Sequence, residues 1–133
     1  GTFRPNQTVT EAEFLVMFTR AFGAEMTSSG HWSDAYYEFA RQHRLTLPGL
    51  SDTSARSRAI SRTAVAELFA SAAGKALKGD AAIRYMLDNG YSKGKTAPTI
   101  EGYKGADSLT RAEAVQFIRN ALNEGYKAAF GGK

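Results

Sequence analysis

The stretch "DSLTRAEAVQFIRNALNEG", residues 107–125, predicts a helix with a defined start and an apolar face. The Thr110 hydroxyl can accept a hydrogen bond from the Glu113 amide while the Glu113 carboxylate accepts one from the Thr110 amide, which forms a capping box. Leu109 precedes the cap and can pack on the first turn. Apolar residues then recur at the spacing of one helical face: Ala114, Phe117, Ile118, Ala121 and Leu122.

The same pattern occurs twice upstream, as "VTEAEFLVMFTRAFG" from residue 9 and "ISRTAVAELFASAAG" from residue 60. A period of about 50 residues is typical of folds built from repeated supersecondary units. Glu13 completes a capping box in the first copy, whereas Ala64 removes it from the second. The predicted core faces of these copies are Phe14, Met17, Phe18, Ala21 and Phe22, and Val65, Leu68, Phe69, Ala72 and Ala73.

Two more helical patterns lie between the capped helices, over residues 31–44 and 79–90. The segments that remain, "TLPGLSDTSARS" and "SKGKTAPTIEGYKGADS", are rich in turn formers and predict ordered loops. Three similar amphipathic helices bury their faces most economically against one another. The sequence therefore predicts one all-α domain over residues 1–133.

The composition limits the classes of function without naming one. The 133 residues include no cysteine, so neither disulfides nor thiolate chemistry support the fold. The net charge of +4 suits a partner that carries negative charge. No apolar run approaches the roughly 20 residues of a membrane-spanning helix, so we expect no insertion into a membrane.

Three stretches together resemble the S-layer homology family. "GTFRPNQTVTEAEFLVMFTRAFG" is similar to the second half of such a repeat, with an aromatic residue and a proline ahead of the capped helix. "LTRAEAVQFI" carries the family's Thr-Arg-Ala-Glu motif, and "GHWSDAYYEFARQHRL" resembles its leading helix with the characteristic Trp. The resemblance divides the chain into half a repeat at 1–24, a second repeat at about 30–74 and a third at about 79–125.

The resemblance implies a pseudo-threefold arrangement, in which the capped helices form a central three-helix bundle and the leading helices and loops form peripheral prongs. The copies depart from the motif in different ways. The first has Glu11 in place of the motif Arg, the second lacks the motif Glu, and the third has Tyr103 and Gly105 where the first has an aromatic residue and a proline.

What the family implies for function is noncatalytic anchoring of a surface protein to the bacterial envelope, outside the cell. Its members bind an acidic cell-wall polysaccharide, often one with pyruvate ketals, in grooves between the prongs. Carried over by position, the ligand-binding candidates are Arg62, Arg111, Trp32, Tyr103, Thr110 and Glu113. We expect no catalytic residues, metal or cofactor.

Physical chemistry supports the arginines independently. A guanidinium can bind a carboxylate through two parallel hydrogen bonds, and a first-turn position adds free backbone amides and the positive end of the helix dipole. Trp32 and Tyr103 can offer flat apolar faces to sugar rings. Glu11 would repel the ligand that Arg111 attracts, so we predict that the first copy is scaffold and that Glu11→Arg leaves stability nearly unchanged.

Other classes of function have weaker signals in the sequence. An assembly module with degenerate glycan sites would bind a neighbouring surface subunit or the rest of a larger chain, and the damaged motifs favour it. Asp34 and Glu38 mimic a glycosidase pair but are typical of a solvated helix face. His31 and His43 lack metal-ligand spacing. The modest net charge argues against nucleic acid despite the basic residues of 92–105 and the tyrosines Tyr91 and Tyr103 beside them.

Overall fold

A computed structural model describes residues 7–23 and 32–131. Over these residues the chain is helical, and its β-structure is confined to isolated bridges, which confirms the predicted all-α class. The α-helices are α1 (Glu11–Ala21), α2 (Asp34–Gln42), α3 (Arg62–Ala72), α4 (Gly79–Asp88), α5 (Ile100–Tyr103) and α6 (Arg111–Asn123). The turns Pro48–Leu50, Thr53–Ser57 and Ala129–Gly131 are 3₁₀-helical.

The three capped helix starts are confirmed. Thr10 accepts a hydrogen bond from the Glu13 amide at 3.1 Å, and its own amide donates to Glu13 Oε1 at 2.9 Å. Thr110 and Glu113 form the same capping box with the same two distances. Ser61 caps α3 through its hydroxyl alone, as the missing Glu predicts.

The three helix starts are joined in a closed ring. Isolated antiparallel bridges link Thr10 to Ala59, Ser61 to Ser108 and Thr110 to Thr8. The first amide of each capped helix donates to a carbonyl of the next copy: Glu11 to Arg58 at 2.9 Å, Arg62 to Asp107 at 2.8 Å and Arg111 to Gln7 at 2.9 Å. This cyclic pairing supports the pseudo-threefold arrangement of whole repeats, which stays a prediction.

The core lies inside this ring and between the capped helices. Its centre is an aromatic cluster in which Phe18 and Phe69 meet edge to face, with ring centroids 4.9 Å apart. Tyr126, beyond α6, returns to this cluster and donates a hydrogen bond to the Phe69 carbonyl at 2.6 Å. The residues ahead of the caps, Val9, Ile60 and Leu109, are buried as predicted.

Two predicted core positions are wrong. Ala21 and Leu122 are exposed, whereas Leu15 and Thr19 in α1 are fully buried. The helix α2 packs on α1 and α4 packs on α3, so each of these capped helices is covered on a second side. The prediction of a single buried face per helix omitted this second contact.

The prediction of the intervening segments was right in type and incomplete in detail. The observed α2 and α4 lie within the predicted ranges 31–44 and 79–90. The loop before α3 contains two 3₁₀ turns, and the loop before α6 contains α5, which the sequence reading missed. Thr99 caps α5 by accepting a hydrogen bond from the Gly102 amide at 2.9 Å.

Candidate functional site

The first residues of the three capped helices, Glu11, Arg62 and Arg111, occupy equivalent positions in the ring. Each lies where its own helix meets the following capped helix of the ring. We call the three places the Glu11 seam, the Arg62 cavity and the Arg111 groove. They differ in how much of the first side chain reaches solvent.

The Glu11 seam is closed. Glu11 is only 2% exposed, and its Oε2 accepts hydrogen bonds from the Tyr37 hydroxyl at 2.7 Å and from the Gly49 amide at 2.8 Å. Burial raises the pKa of this carboxyl above its ordinary value of 4.5, although both hydrogen bonds oppose that shift. Glu11 is therefore a structural residue, and its buried contacts argue against the prediction that its replacement by Arg leaves stability nearly unchanged.

Two further contacts seal the Glu11 seam. The Arg56 guanidinium lies 4.0 Å from the centroid of the Tyr37 ring, and its Nε donates to the Gly49 carbonyl at 2.8 Å. A Cβ at Gly49 would collide with the Glu11 carboxylate and the Tyr37 ring, so only glycine fits there. The Glu11 carboxylate is thus held by contacts within the protein and is almost entirely withdrawn from solvent.

The Arg62 cavity holds a buried arginine. Arg62 is 4% exposed, and its guanidinium lies 4.8 Å from the ring centroids of both Tyr103 and Phe117. Its Nε donates to the Tyr103 carbonyl at 2.6 Å, and the Tyr103 hydroxyl donates to the Arg62 carbonyl at 2.7 Å. Arg62 therefore fastens the start of α3 to the third copy, whatever else it does.

Arg62 also lines a small cavity of about 220 Å³. The wall that α6 supplies consists of Glu113, Gln116, Phe117 and Asn120, and the opposite wall is the segment 92–95. Lys93 and Lys95 in that segment add positive charge, although Lys95 pairs with Asp107 at 2.8 Å. The cavity combines an arginine, two lysines and amide side chains with one carboxylate, that of Glu113, so its positive charges outnumber its negative one and suit a small anion.

The Arg111 groove is the open counterpart. It has a volume of about 360 Å³, and α1 lines it with Glu13, Val16, Met17 and Arg20. These are the positions in α1 that Glu113, Gln116, Phe117 and Asn120 occupy in α6, so the groove and the Arg62 cavity are equivalent places. Trp32 and Tyr36 form the remaining wall of the groove.

The charges of the Arg111 groove are arranged for an anion with a flat apolar neighbour. Arg111 Nη2 lies 3.4 Å from Glu13 Oε2, and both side chains are about one third exposed. Arg20 donates from Nε to the Tyr36 hydroxyl at 3.2 Å. Two arginines against one carboxylate leave the groove positive, because Glu13 neutralises one of them.

Trp32 stands at the junction of two hollows. Half of its surface is exposed, and it lines both the Arg111 groove and an adjoining cavity of about 380 Å³. Hydroxyl and carboxylate groups dominate that second cavity, with Thr10, Ser33, Asp34 and Thr53 among its lining residues. Trp32 therefore lies between a cationic groove and a polar cavity.

The structure brings together some predicted site residues and separates others. Arg111 and Trp32 share the groove, and Arg62 and Glu113 share the small cavity. Tyr103 was predicted as a ligand platform, but it is fully buried and its ring packs on Arg62. The Thr110 hydroxyl accepts the capping hydrogen bond and the Thr110 backbone pairs with Thr8 in the ring. Thr110 therefore has a structural role at the site.

The prediction that backbone amides in the first helical turn are free to bind a ligand is also wrong for α3. At the start of α3 the first three amides donate to the Asp107 carbonyl at 2.8 Å, the Gly105 carbonyl at 2.9 Å and the Ser61 hydroxyl at 3.1 Å. In α6 the amides of Arg111 and Glu113 are engaged in the same way. Anion binding at the start of α3 must therefore depend on side chains, and the Arg111 and Glu113 amides of α6 are likewise unavailable to a ligand.

Sequence reasoning missed Arg20, Lys93 and Lys95. Arg20 lies seven residues after Glu13 and so projects from the same face of α1, a spacing that was available in the sequence. The lysines belong to a loop that had been read only as a weak nucleic-acid signal. Their position opposite α6 depends on how the loop folds, which no local pattern encodes.

The remaining candidates add no chemistry within the described residues. Glu38 lies 3.9 Å from Arg41 on the exposed face of α2, as expected for a solvated acid. His43 stacks near the Phe39 ring, and His31 lies outside the described residues. Over residues 7–23 and 32–131 there is no group of His, Cys, Asp and Glu that could hold a metal ion. No helix in that part of the chain is long and apolar enough to cross a membrane.

Comparison of the chain with models of known protein families, with curated protein sequences and with solved structures found no match.

Proposed function

We propose that the protein is a noncatalytic module that anchors a surface protein to the bacterial cell wall, outside the cell, by binding an acidic polysaccharide. The observation that carries this proposal is the Arg111 groove, where Arg111, Arg20 and Trp32 line one open hollow. The resemblance to S-layer homology repeats supplies the substrate class, a polysaccharide whose sugars carry carboxylates such as pyruvate ketals.

The groove provides both kinds of contact that such a sugar needs. A carboxylate beside Arg111 and Arg20 gains charge-assisted hydrogen bonds, each worth about 1.5–3 kcal/mol. The ring of the same sugar has an apolar face that can stack on Trp32 or lie against Val16 and Met17. The Arg62 cavity offers a second, smaller anion site, so a polymer that engages both gains from effective concentration.

The direct test is a calorimetric titration with purified wall polysaccharide fragments, pyruvylated and depyruvylated. We expect Arg111→Ala to weaken binding of the pyruvylated fragment about tenfold, because one charge-assisted contact is lost. Arg111→Lys should recover only part of the affinity, since an ammonium lacks the two-pronged geometry of a guanidinium. Trp32 is the only tryptophan of the chain, so its fluorescence reports occupancy of the groove independently.

Arg84→Ala is the matched control, because Arg84 is an exposed arginine of α4 that lines neither hollow. It should leave affinity unchanged. Equal affinity of wild type and Arg111→Ala, together with no effect of removing pyruvate, would show that the groove does not bind the polysaccharide through its carboxylates.

A second candidate function is an assembly module that binds protein. The Glu11 seam favours it, because its hollow of about 140 Å³ is smaller than the other two and its first helical residue is a buried glutamate in place of an arginine. Failure of the wall polysaccharide to bind at all, combined with a defined oligomer in light scattering, would replace the first proposal by this one.

A further inference from the structure

The helix α6 carries an apolar stripe on its outer surface. Ala112, Val115, Arg119 and Leu122 follow one another at intervals of three and four residues, which places them on one helical face. All four are exposed, Val115 by 36% and Leu122 by 51%. We call this face the α6 stripe. Besides Trp32, these two are the exposed large hydrophobic side chains of the described residues.

The equivalent positions in the other two capped helices are covered. Leu15 and Thr19 of α1 correspond to Val115 and Arg119, and both are fully buried. In α3 the same places hold Ala66 and Ala70, which are also fully buried. The difference between the helices is therefore one of covering elements rather than of helix position.

The covering elements are the two leading helices. The helix α2 packs on α1, and α4 packs on α3. Among the described elements, α1 contacts α6, and the Phe117 ring of α6 packs near Phe69 and Tyr103 in the core. The α6 stripe therefore stays exposed among the described elements.

We propose that the α6 stripe binds an amphipathic partner helix, one that resembles α2 and α4 and places a carboxylate beside Arg119. Val115 and Leu122 provide the apolar contact. Arg119 makes no side-chain hydrogen bond or ion pair within the described part of the chain, so its charge is available. Both α2 and α4 carry an aspartate in their first turn, Asp34 and Asp80, and a carboxylate of this kind could pair with Arg119.

The same charge argues against a second copy of α6 as the occupant. The stripe spans about ten residues, or about 15 Å at the rise of an α-helix, so two paired stripes would bring their arginines into one short contact. Like charges in a contact of this size oppose association. An amphipathic helix with an acidic residue would bind the apolar stripe and also gain a favourable charge contact with Arg119. A second copy of α6 would instead bring two arginines together.

Disulfide tethering tests the proposal at high sensitivity because the chain contains no cysteine. The substitution Asn123→Cys places a single thiol next to Leu122 at the end of the stripe. The probes are synthetic peptides of residues 32–45 and 78–90, each with a cysteine added at one end or the other. The matched control is Asn89→Cys, at an exposed asparagine that ends α4.

Under exchange with glutathione, at least one of the two peptides should accumulate as mixed disulfide about tenfold more at position 123 than at position 89. Adding Leu122→Glu to the Asn123→Cys variant should abolish this enrichment, and adding Arg119→Glu should reduce it severalfold. Circular dichroism should show that both double variants keep their helicity, since both side chains are exposed.

Equal capture at positions 123 and 89 overturns the proposal. So does equal capture of peptides with scrambled sequences, which would indicate nonspecific apolar adhesion. Preferential formation of a disulfide-linked dimer of the Asn123→Cys variant would assign the stripe to a second copy instead. None of these outcomes depends on polysaccharide, so the result is independent of the proposed function.

Discussion

The Glu11 seam and the Arg111 groove share the same backbone arrangement but differ in the exposure of their first helical side chain. In both, a threonine and a glutamate build the capping box, and the first amide of the helix donates to a carbonyl of the neighbouring copy. Glu11 is then sealed beneath Tyr37 and Gly49, whereas Arg111 remains about one third exposed beside Trp32.

The difference shows that the capped helix fixes the place of its first side chain and the next element decides its use. Gly49 lets the chain pass close over Glu11, because a side chain at that position would strike the carboxylate. The Arg111 groove has no such strap among the described residues. The same helical position is thus structural in one copy and a candidate contact with ligand in another.

The strongest test of this comparison is Glu11→Arg. We expect it to lower the free energy of unfolding by about 4 kcal/mol, because it places a longer cation in a buried seam and leaves the Tyr37 hydroxyl and Gly49 amide without their acceptor. Urea unfolding measures the change. Arg111→Ala, at the equivalent open position, is the control and should cost less than about 1 kcal/mol. Equal effects at both positions would mean that the seam is not closed.

Arg62 should behave like Glu11 in stability. We expect Arg62→Ala to cost roughly 3 kcal/mol, since it removes a hydrogen bond to the Tyr103 carbonyl and two cation–π contacts. Thermal and urea unfolding both report it. Lys93 lines the same cavity from an exposed position, so Lys93→Ala should leave the free energy of unfolding nearly unchanged. If Arg62→Ala is as stable as the wild type, these contacts do not stabilise the fold, and Arg62 would be a candidate for ligand binding alone.

Glu13→Gln tests whether Glu13 competes with the ligand for Arg111 in the Arg111 groove. Glutamine preserves the capping box but removes the carboxylate that competes for Arg111. Binding of the pyruvylated fragment should tighten about threefold, as expected for release of a partly exposed ion pair. Urea unfolding of Glu13→Gln controls for effects on the cap, because a damaged capping box would lower the stability of the protein. Unchanged or weaker binding by Glu13→Gln would show that Glu13 does not compete with the ligand.

The pH dependence of stability tests the burial of Glu11. Because the pKa of this carboxyl is raised in the folded state, the folded protein binds a proton more readily than the unfolded chain. Lowering the pH from neutral towards 4.5 should therefore stabilise the wild type relative to Glu11→Gln, which has no group to titrate there. Urea unfolding of both proteins across that range gives the difference. A constant difference would contradict a buried, ionisable Glu11.

The sequence predicted what depends on neighbouring residues and failed where distant ones meet. The caps at Thr10 and Thr110 involve partners three residues away, and they were predicted correctly. Glu11 bonds to residues 26 and 38 positions away, and Arg62 bonds to one 41 positions away. Such contacts leave no local pattern, so a buried glutamate and a buried tyrosine were both taken for surface groups.

The candidate site was predicted in part for the same reason. Arg111 and Trp32 were chosen separately, by motif, and the fold places them in one groove. Leu122 was assigned to the core because its spacing fits an apolar face, and its exposure follows from the lack of a covering helix on α6 among the described elements. A spacing shows which side of a helix is apolar, but it does not show whether anything lies against that side.

The ring of bridges has a consequence for how the molecule holds together. Two of its bridges, Thr10–Ala59 and Ser61–Ser108, each close about 50 residues of chain, and once both exist the third has little entropy left to lose. In a linear array each repeat touches only its neighbours and can unravel from an end. A closed ring has no end repeat, so we expect it to form and to fail as a single cooperative unit.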